Sequence, residues 1–224
     1  RQGDAVADAV AQHYQPRGPG DAVPTAPVAI AVALADKIDT LAGFFAAGER
    51  PGGSGDPYAL RRAALGVIRI LRENGLRLDL HAVFADAAAA YPEALRGSDD
   101  LALLPGFIAE RLRVQLRAEG SRHDVLEAVS ATGRDGDLVR LLARTDAVAA
   151  LLGTEDGVNL LAAARRAANI LRIEEKKDGP HDGAIDPALL DQDEERALLA
   201  ALDGAAPAIA NSLSAERFPE AMSA

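Results

Sequence analysis

Apolar residues recur every three or four positions along most of the chain, the spacing that places side chains on one face of an α-helix. Val28, Val32, Ala35, Ile38 and Phe45 follow this spacing and predict a helix over residues 28–46. The alternation typical of β-strands is almost missing, and the helix formers Ala and Leu are the commonest residues. The pattern therefore predicts an all-α fold, a multi-helix bundle.

Turn-forming residues divide this helical pattern into elements. A first helix is predicted to end near Tyr14, before a segment rich in Pro and Gly. A helix following the Gly-rich residues 48–55 is expected to open at Asp56-Pro57 and to stop at Asn74-Gly75. Further helices are predicted over residues 80–91, 101–118, 123–131, 137–152, 155–173, 193–206 and 215–224, with a loop over residues 176–183.

Composition narrows the class of protein. The 224 residues are 49% hydrophobic and 26% charged, which is ordinary for a soluble globular chain. The absence of cysteine removes disulfides and thiolate metal sites and fits a reducing cytosol. We find no apolar run of bilayer length and no secretory leader, so we expect a cytoplasmic protein without a membrane partner. Because the residues after Arg1 resemble the middle of a helix, we also expect a piece of a longer protein.

The net charge of −10 argues at first against binding to nucleic acid. Residues 174–224 contain 12 acids and only 4 bases, however, so most of the negative charge lies in that segment. The rest of the chain is nearly neutral. Phosphate binding would therefore have to depend on local arginine clusters and not on a global field.

Two such clusters stand out. Four arginines share one side of the predicted helix after residue 56: Arg61, Arg62, Arg69 and Arg72. Guanidinium groups suit phosphate or carboxylate recognition, but composition alone favours a solvated face paired with neighbouring acids. A smaller cluster, Arg165 and Arg166 with Asn169, combines groups that can hold phosphate and read a base edge.

No catalytic site and no metal site can be predicted from these patterns. Gly48 and Gly53 have the spacing of a phosphate-binding loop, but Ser54 stands where a lysine is required. The four histidines lie far apart, and none has the spacing of a helical metal site. Asp36 and Asp39 lie on a mostly apolar helix, where a buried carboxylate would need a partner or a metal. Lys37 and Asp39 fit equally well as surface residues flanking a core stripe.

Particular motifs do resemble one family. ADKIDTL at residues 35–41 and DPYALRRAALGVIRI at residues 56–70 match its signature stretches nearly letter for letter. Residues 13–71 are similar almost throughout to the beta subunit of the tetrameric bacterial glycyl-tRNA synthetase. ARRAANIL at residues 164–171 and IDPALL at residues 185–190 resemble the start of its helical anticodon-binding domain. Residues 76–153 match mainly in helical pattern.

The resemblance implies a division into three parts. Residues 1–50 would be the end of a region related to HD phosphohydrolases, residues 51–153 a helical body, and residues 154–224 a truncated anticodon-binding domain. Asp36 falls near the position of the last metal-binding Asp in HD enzymes. The upstream His and His-Asp ligands are not in this chain, so no metal site is carried over.

The resemblance also implies a function. The family's enzyme contains two alpha and two beta chains and uses ATP to attach glycine to its tRNA. Adenylate chemistry belongs to the alpha subunit, so ATP and Mg²⁺ are expected there and no cofactor is expected here. The partners would be the alpha subunit and glycine tRNA. Seven residues then become candidates for RNA contact: Arg61, Arg62, Arg69, Arg72, Arg165, Arg166 and Asn169. The first four could instead pin the HD-like region to the body through salt bridges.

Two other functions remain open from the sequence. A metal-dependent HD phosphohydrolase would need His and Asp ligands upstream of Arg1. A helical scaffold that binds only protein would capture the alpha subunit but would show no affinity for RNA.

Overall fold

The computed structural model describes residues 3–53, 55–96, 100–131, 135–181 and 183–224. Within these ranges there is no β-strand, only an isolated bridge between Asp79 and Asp137, so the all-α prediction is confirmed. The chain forms two compact units, Arg1–Leu142 and Ala143–Ala224. The division at residues 50 and 153 stays a prediction.

The helices of the first unit are α1 (Asp4–Gln12), α2 (Pro27–Ala46), α3 (Leu60–Glu73), α4 (Leu80–Ala89), α5 (Glu93–Arg96), α6 (Leu104–Ala118) and α7 (His123–Ala131). Helix α8 (Leu138–Leu152) leads into the second unit, which contains α9 (Glu155–Asp178), α10 (Asp193–Ser214) and α11 (Phe218–Ser223). Two 3₁₀ turns, Leu101–Leu103 and Pro187–Leu189, complete the described elements.

Helix α2 is the centre of the first unit, since α1, α3, α4 and α6 all pack against it. Its second half buries Ile38 and Phe45 as the sequence pattern predicts. In its first half the prediction is wrong, because Val28, Val32 and Ala35 are exposed while Ala29 and Ala33 are fully buried. Small side chains at a helix contact let neighbouring backbones approach closely, so the buried stripe follows the alanines here.

Helix α3 begins later than the sequence predicts. It starts at Leu60 and not at Asp56-Pro57, because Ala59 adopts a left-handed conformation with φ of 58° just before it. Asp56 still caps the helix, since its carboxylate accepts the backbone N–H groups of Leu60 at 2.8 Å and Arg61 at 3.1 Å. The predicted stop is confirmed at Gly75, whose φ of +61° suits glycine.

In the second unit two predicted ends are wrong. Helix α9 continues to Asp178, and Lys176 and Lys177 in its last turn complement the negative end of the helix dipole. Helix α10 continues through Pro207 to Ser214. The alanines flanking Pro207 are the strongest helix formers, which offsets the hydrogen bond that proline removes.

A tight junction joins α8 to α9. Thr154 caps α9, since its hydroxyl oxygen accepts the N–H of Gly157 at 3.0 Å. A Cβ at Gly157 would lie only 2.0 Å from the carbonyl oxygen of Leu151. Glycine is therefore the residue that lets the first turn of α9 rest against the end of α8.

By length and composition alone, α10 could cross a bilayer. Helices α8 and α9 together are also long and apolar enough, but only if the bent pair is counted as one span. One or two such helices are weak evidence for a membrane protein.

Candidate nucleic-acid interface

The arginines of α3 share one helix, as predicted, but the structure gives them different partners. Arg61 donates from its two terminal nitrogens to the carbonyl oxygens of Gly55 at 3.0 Å and Gly53 at 2.7 Å. These hydrogen bonds hold the Gly-rich loop against the start of the helix. The guanidinium of Arg61 is thus engaged within the protein.

Arg69 donates more side-chain hydrogen bonds than the other three arginines of α3. Its Nε donates to Glu73 at 2.7 Å, and its two terminal nitrogens donate to the carbonyl oxygens of Gly18 at 2.9 Å and Asp21 at 2.8 Å. The side chain is mostly buried, with 16% of its surface exposed. Arg69 therefore ties α3 to the segment between α1 and α2.

Arg72 forms a bidentate ion pair across two helices. Its terminal nitrogens donate to both carboxylate oxygens of Glu119, at 3.1 and 3.0 Å, which joins α3 to the end of α6. The hydrogen bonds from Arg72 are the main cause that holds the pKa of Glu119 below its usual value. This is the salt-bridge role considered for these arginines from the sequence.

Arg62 differs from its three neighbours. It is exposed and has no hydrogen bond or ion pair with any residue that the structure describes. It lines two adjacent cavities, of about 290 and 530 Å³, and Arg17 lines both as well. Arg62 is therefore the arginine of α3 whose guanidinium is available to a ligand.

The smaller cavity lies beside a buried lysine. The surface position that the sequence allowed for Lys37 is wrong, because Lys37 is only 5% exposed. Its ammonium donates to the carbonyl oxygen of His13 at 3.0 Å. Burial lowers the pKa of Lys37, while the negative charge of Asp36 opposes this shift. The neighbouring Asp36 is half-buried, lines the cavity, and has no hydrogen bond or ion pair within the described ranges.

The second predicted cluster lies on α9. Arg165 and Arg166 are both exposed and form no hydrogen bond or ion pair with the part of the chain that is described. Asn169 is one turn further along, and its side-chain oxygen accepts from Arg172 at 3.1 Å. Asn169 and both arginines are thus exposed on one stretch of helix.

The two predicted clusters belong to different compact units, α3 to the first and α9 to the second. Among the described residues, no group of three His, Cys, Asp or Glu side chains is placed to hold a metal ion. Sequence reasoning missed Arg17, Tyr14 and Tyr58, which line the same cavity as Arg62. Their only signal was their position within residues 13–71, which resemble the family almost throughout.

Comparison with known proteins identifies the family. The family model described as glycyl-tRNA synthetase beta subunit matches residues 1–131, more than half of the chain. The chain belongs to this family. Its relatives include the glycine–tRNA ligase beta subunits of Rhodospirillum centenum, 58% identical over 219 residues, and of Paracoccus denitrificans, 51% identical over 219 residues. The corresponding subunit of Cereibacter sphaeroides is 51% identical over 225 residues.

These matches cover 97 to 99% of this chain but only 30 to 32% of each relative. The chain therefore spans about a third of the length of the beta subunits that it matches. Helix α3 and its arginines lie within residues 1–131, which match the family model, whereas α9 lies outside them. Both helices fall within the range that the relatives cover.

Proposed function

We propose that this chain is a non-catalytic, tRNA-recognising part of the beta subunit of glycine–tRNA ligase. In this proposal the alpha subunit carries the ATP- and Mg²⁺-dependent adenylate chemistry, and two alpha and two beta chains form the cytoplasmic enzyme. The chain contributes no catalytic residue and no cofactor. Its partners are the alpha subunit and glycine tRNA.

The observation that carries this proposal is the exposed arginine pair of α9, which has no hydrogen bond or ion pair with the described residues, in a chain of this family. An arginine without a carboxylate partner keeps all its donors for phosphate oxygens or for stacking on a base. Asn169 beside the pair adds a group that can read a base edge. Arg62 offers a further phosphate contact, while Arg61, Arg69 and Arg72 support the interface by holding α3 in place.

Filter binding of glycine tRNA to the full-length beta chain, alone and with the alpha subunit, tests the proposal. Measured over a salt series, the affinity should fall steeply as salt rises, because each arginine–phosphate contact releases counterions. A tRNA of another specificity serves as the control for sequence-independent binding. Absence of measurable binding at low salt in both preparations would reject the tRNA-recognising role.

A second candidate is a helical scaffold that binds the alpha subunit and not RNA. It is favoured by the apolar residues that α9 and α10 expose, among them Leu160, Ile170 and Ile173 on α9 and Leu198 and Leu202 on α10. Under this alternative the beta chain captures the alpha subunit but retains no tRNA in the same assay. The filter-binding result therefore separates the two candidates directly.

A further inference from the structure

The smaller cavity of the first unit has a lining that none of the contacts above explains. It has a volume of about 290 Å³ and lies where the segment after α1, the middle of α2 and the start of α3 meet. Its size is at the lower end of small-molecule sites and suits one small planar ligand. Seven of its lining residues carry aromatic, charged or hydroxyl groups: Tyr14, Arg17, Asp36, Lys37, Thr40, Tyr58 and Arg62.

Two aromatic rings are exposed at this cavity. Tyr14 is 62% exposed and Tyr58 is 44% exposed, and they are two of only three tyrosines in a chain that lacks tryptophan. The ring of Tyr58 stacks on Phe44, with centroids 4.3 Å apart and planes 24° apart, which fixes its orientation. An exposed ring held in place is a platform on which an unpaired base can stack.

Two charged groups of the cavity, Arg62 and Asp36, have no hydrogen bond or ion pair with the described residues. Arg62 has no partner in the described ranges, and Arg17 is 76% exposed, with its Nε 3.7 Å from the carboxylate of Asp21. Asp36 is a half-buried carboxylate without a hydrogen bond to any described group. Its neighbour Lys37 does not neutralise it through an ion pair, because the ammonium donates to the carbonyl oxygen of His13 instead. The cavity is thus lined by three cationic side chains and one acceptor-only carboxylate. Of the cations, Lys37 is engaged by the carbonyl oxygen of His13 and Arg17 lies near Asp21, which leaves Arg62 fully available.

A ligand that satisfies this lining must combine an anion, a flat ring and N–H donors. Inorganic phosphate would leave the rings unused and would be repelled by Asp36, while a metal ion would be repelled by both arginines. A nucleotide meets all three requirements. Among the bases, guanine presents two adjacent N–H donors that match the two oxygens of a carboxylate, whereas adenine and cytosine place a ring acceptor beside their amino group.

We propose that this cavity binds an unpaired guanine nucleotide. The base stacks on Tyr14 and Tyr58, its N–H edge donates to Asp36, and its phosphate accepts hydrogen bonds from Arg62 and Arg17. Binding of this nucleotide as part of an RNA rests on the tRNA-recognising function proposed above. Binding of a free guanine mononucleotide does not depend on that function.

The test uses the full-length beta chain assembled with the alpha subunit and two separate ligands. Calorimetry measures the affinity for GMP and for AMP, and filter binding measures the affinity for glycine tRNA. Asp36→Asn is nearly isosteric and removes the second acceptor oxygen. Asp86→Asn changes an exposed carboxylate on α4 of the same unit that has no hydrogen bond or ion pair in the described part of the chain, and it is the matched control. Thermal unfolding of each variant checks that the fold is retained.

For GMP we expect a preference over AMP of about tenfold, which Asp36→Asn abolishes, because the discrimination of a bidentate contact is lost. Arg62→Ala should weaken GMP and AMP alike, and Tyr58→Leu should weaken both through lost stacking. For tRNA, Asp36→Asn should lower the affinity by about three- to tenfold if an unpaired guanosine occupies the cavity. Asp86→Asn should change none of these affinities.

The GMP and tRNA binding measurements together identify the source of the nucleotide. Sensitivity of tRNA binding to Asp36→Asn assigns the cavity to RNA, and sensitivity of GMP binding alone assigns it to a free nucleotide. If Asp36→Asn and Arg62→Ala alter neither affinity in folded protein, the inference is wrong, while tRNA binding by the wild type would leave the proposed function intact. If the wild type binds no tRNA, the proposed function is wrong. The GMP measurement then still shows whether the cavity binds a guanine nucleotide.

Discussion

Gly66 on α3 lies directly against the side chain of Lys37 on α2. A Cβ added at Gly66 would come within 2.7 Å of Lys37 Cε and 2.9 Å of Cδ. The Lys37 side chain cannot move aside without losing a hydrogen bond, because its buried ammonium donates to the carbonyl oxygen of His13. This contact couples the packing of α2 and α3 to the segment that follows α1.

We therefore expect Gly66→Ala to lower the free energy of unfolding of the first unit by about 1–3 kcal/mol, through crowding and the lost hydrogen bond of a buried ammonium. Hydrogen exchange of α2 and α3 peptides in the full-length protein measures the effect. Gly106→Ala on α6 is the control, since nothing lies within 4 Å of its added Cβ. It should leave exchange unchanged or slower, and equal effects of the two changes would contradict this account.

Arg69 and Arg62 should behave differently although both are arginines of α3. Arg69→Ala removes three hydrogen bonds and leaves the carbonyl oxygens of Gly18 and Asp21 without their donor, so we expect a loss of about 1–3 kcal/mol. Arg62→Ala removes no hydrogen bond or ion pair with the described residues and should change the stability by less than about 0.5 kcal/mol. Denaturant unfolding compares the two, and equal losses would show that Arg62 has a structural partner.

Tyr91 provides a pH prediction. Its hydroxyl donates to the carboxylate of Asp39 at 2.7 Å, and partial burial, followed by the hydrogen bond and charge of Asp39, raises the pKa of Tyr91 to about 12. The folded state then retains a proton that the unfolded chain loses from about pH 10, so stability falls as pH rises from about 10 to about 12.

Tyr91→Phe should flatten this fall, although it also removes the hydrogen bond and so lowers stability at neutral pH. The midpoint of thermal unfolding, measured at intervals between neutral pH and about pH 11, tests the prediction. Asp39→Asn keeps an acceptor but removes the charge and should give an intermediate slope. An unaltered alkaline slope in both variants would exclude this pair as its source.

The arginine pair of α9 provides the sharpest prediction about RNA. Arg165→Ala with Arg166→Ala should weaken tRNA binding by the full-length beta chain at low salt and reduce the slope of log affinity against log salt by about 1 to 2, since each phosphate contact contributes about one counterion.

The matched control removes the same charge from the same unit. Arg196 pairs with Asp193 at 2.7 Å and Arg217 pairs with Glu220 at 2.7 Å, so their guanidiniums are already engaged. The double change Arg196→Ala with Arg217→Ala should leave the salt slope nearly unaltered. A similar loss in both double variants would mean that net charge, and not the position of Arg165 and Arg166, governs binding.

Local patterns predicted most of this fold and much less of the interface. Helix α7 has the predicted bounds and α3 has the predicted end, because both depend on neighbouring residues. The helical wheel placed four arginines on one face of α3 but could not show their acceptors. Gly18 is 51 residues from Arg69 in sequence, and Glu119 is 47 residues from Arg72. Partners so distant in sequence are set by tertiary packing.

The cavity that holds Asp36 could not be predicted for the same reason. Its lining comes from three segments that are adjacent only once α1, α2 and α3 have packed. The start of α3 was misplaced because Asp56 caps the helix across a left-handed Ala59, a geometry that residue preferences disfavour outside glycine. The sequence correctly predicted Asp56 as the capping residue, but it did not predict that the helix begins four residues later, at Leu60.

The close approach of Gly157 to the Leu151 carbonyl oxygen also determines the direction of α9 and therefore the position of its arginines. Arg165 is eight residues further along, about 12 Å at the rise of an α-helix. A tilt of about 10° imposed by a methyl group at residue 157 would displace the arginine pair by about 2 Å, most of the length of a hydrogen bond. The hydrogen atom that Gly157 has in place of a Cβ thus determines the position of two guanidiniums more than two helical turns away.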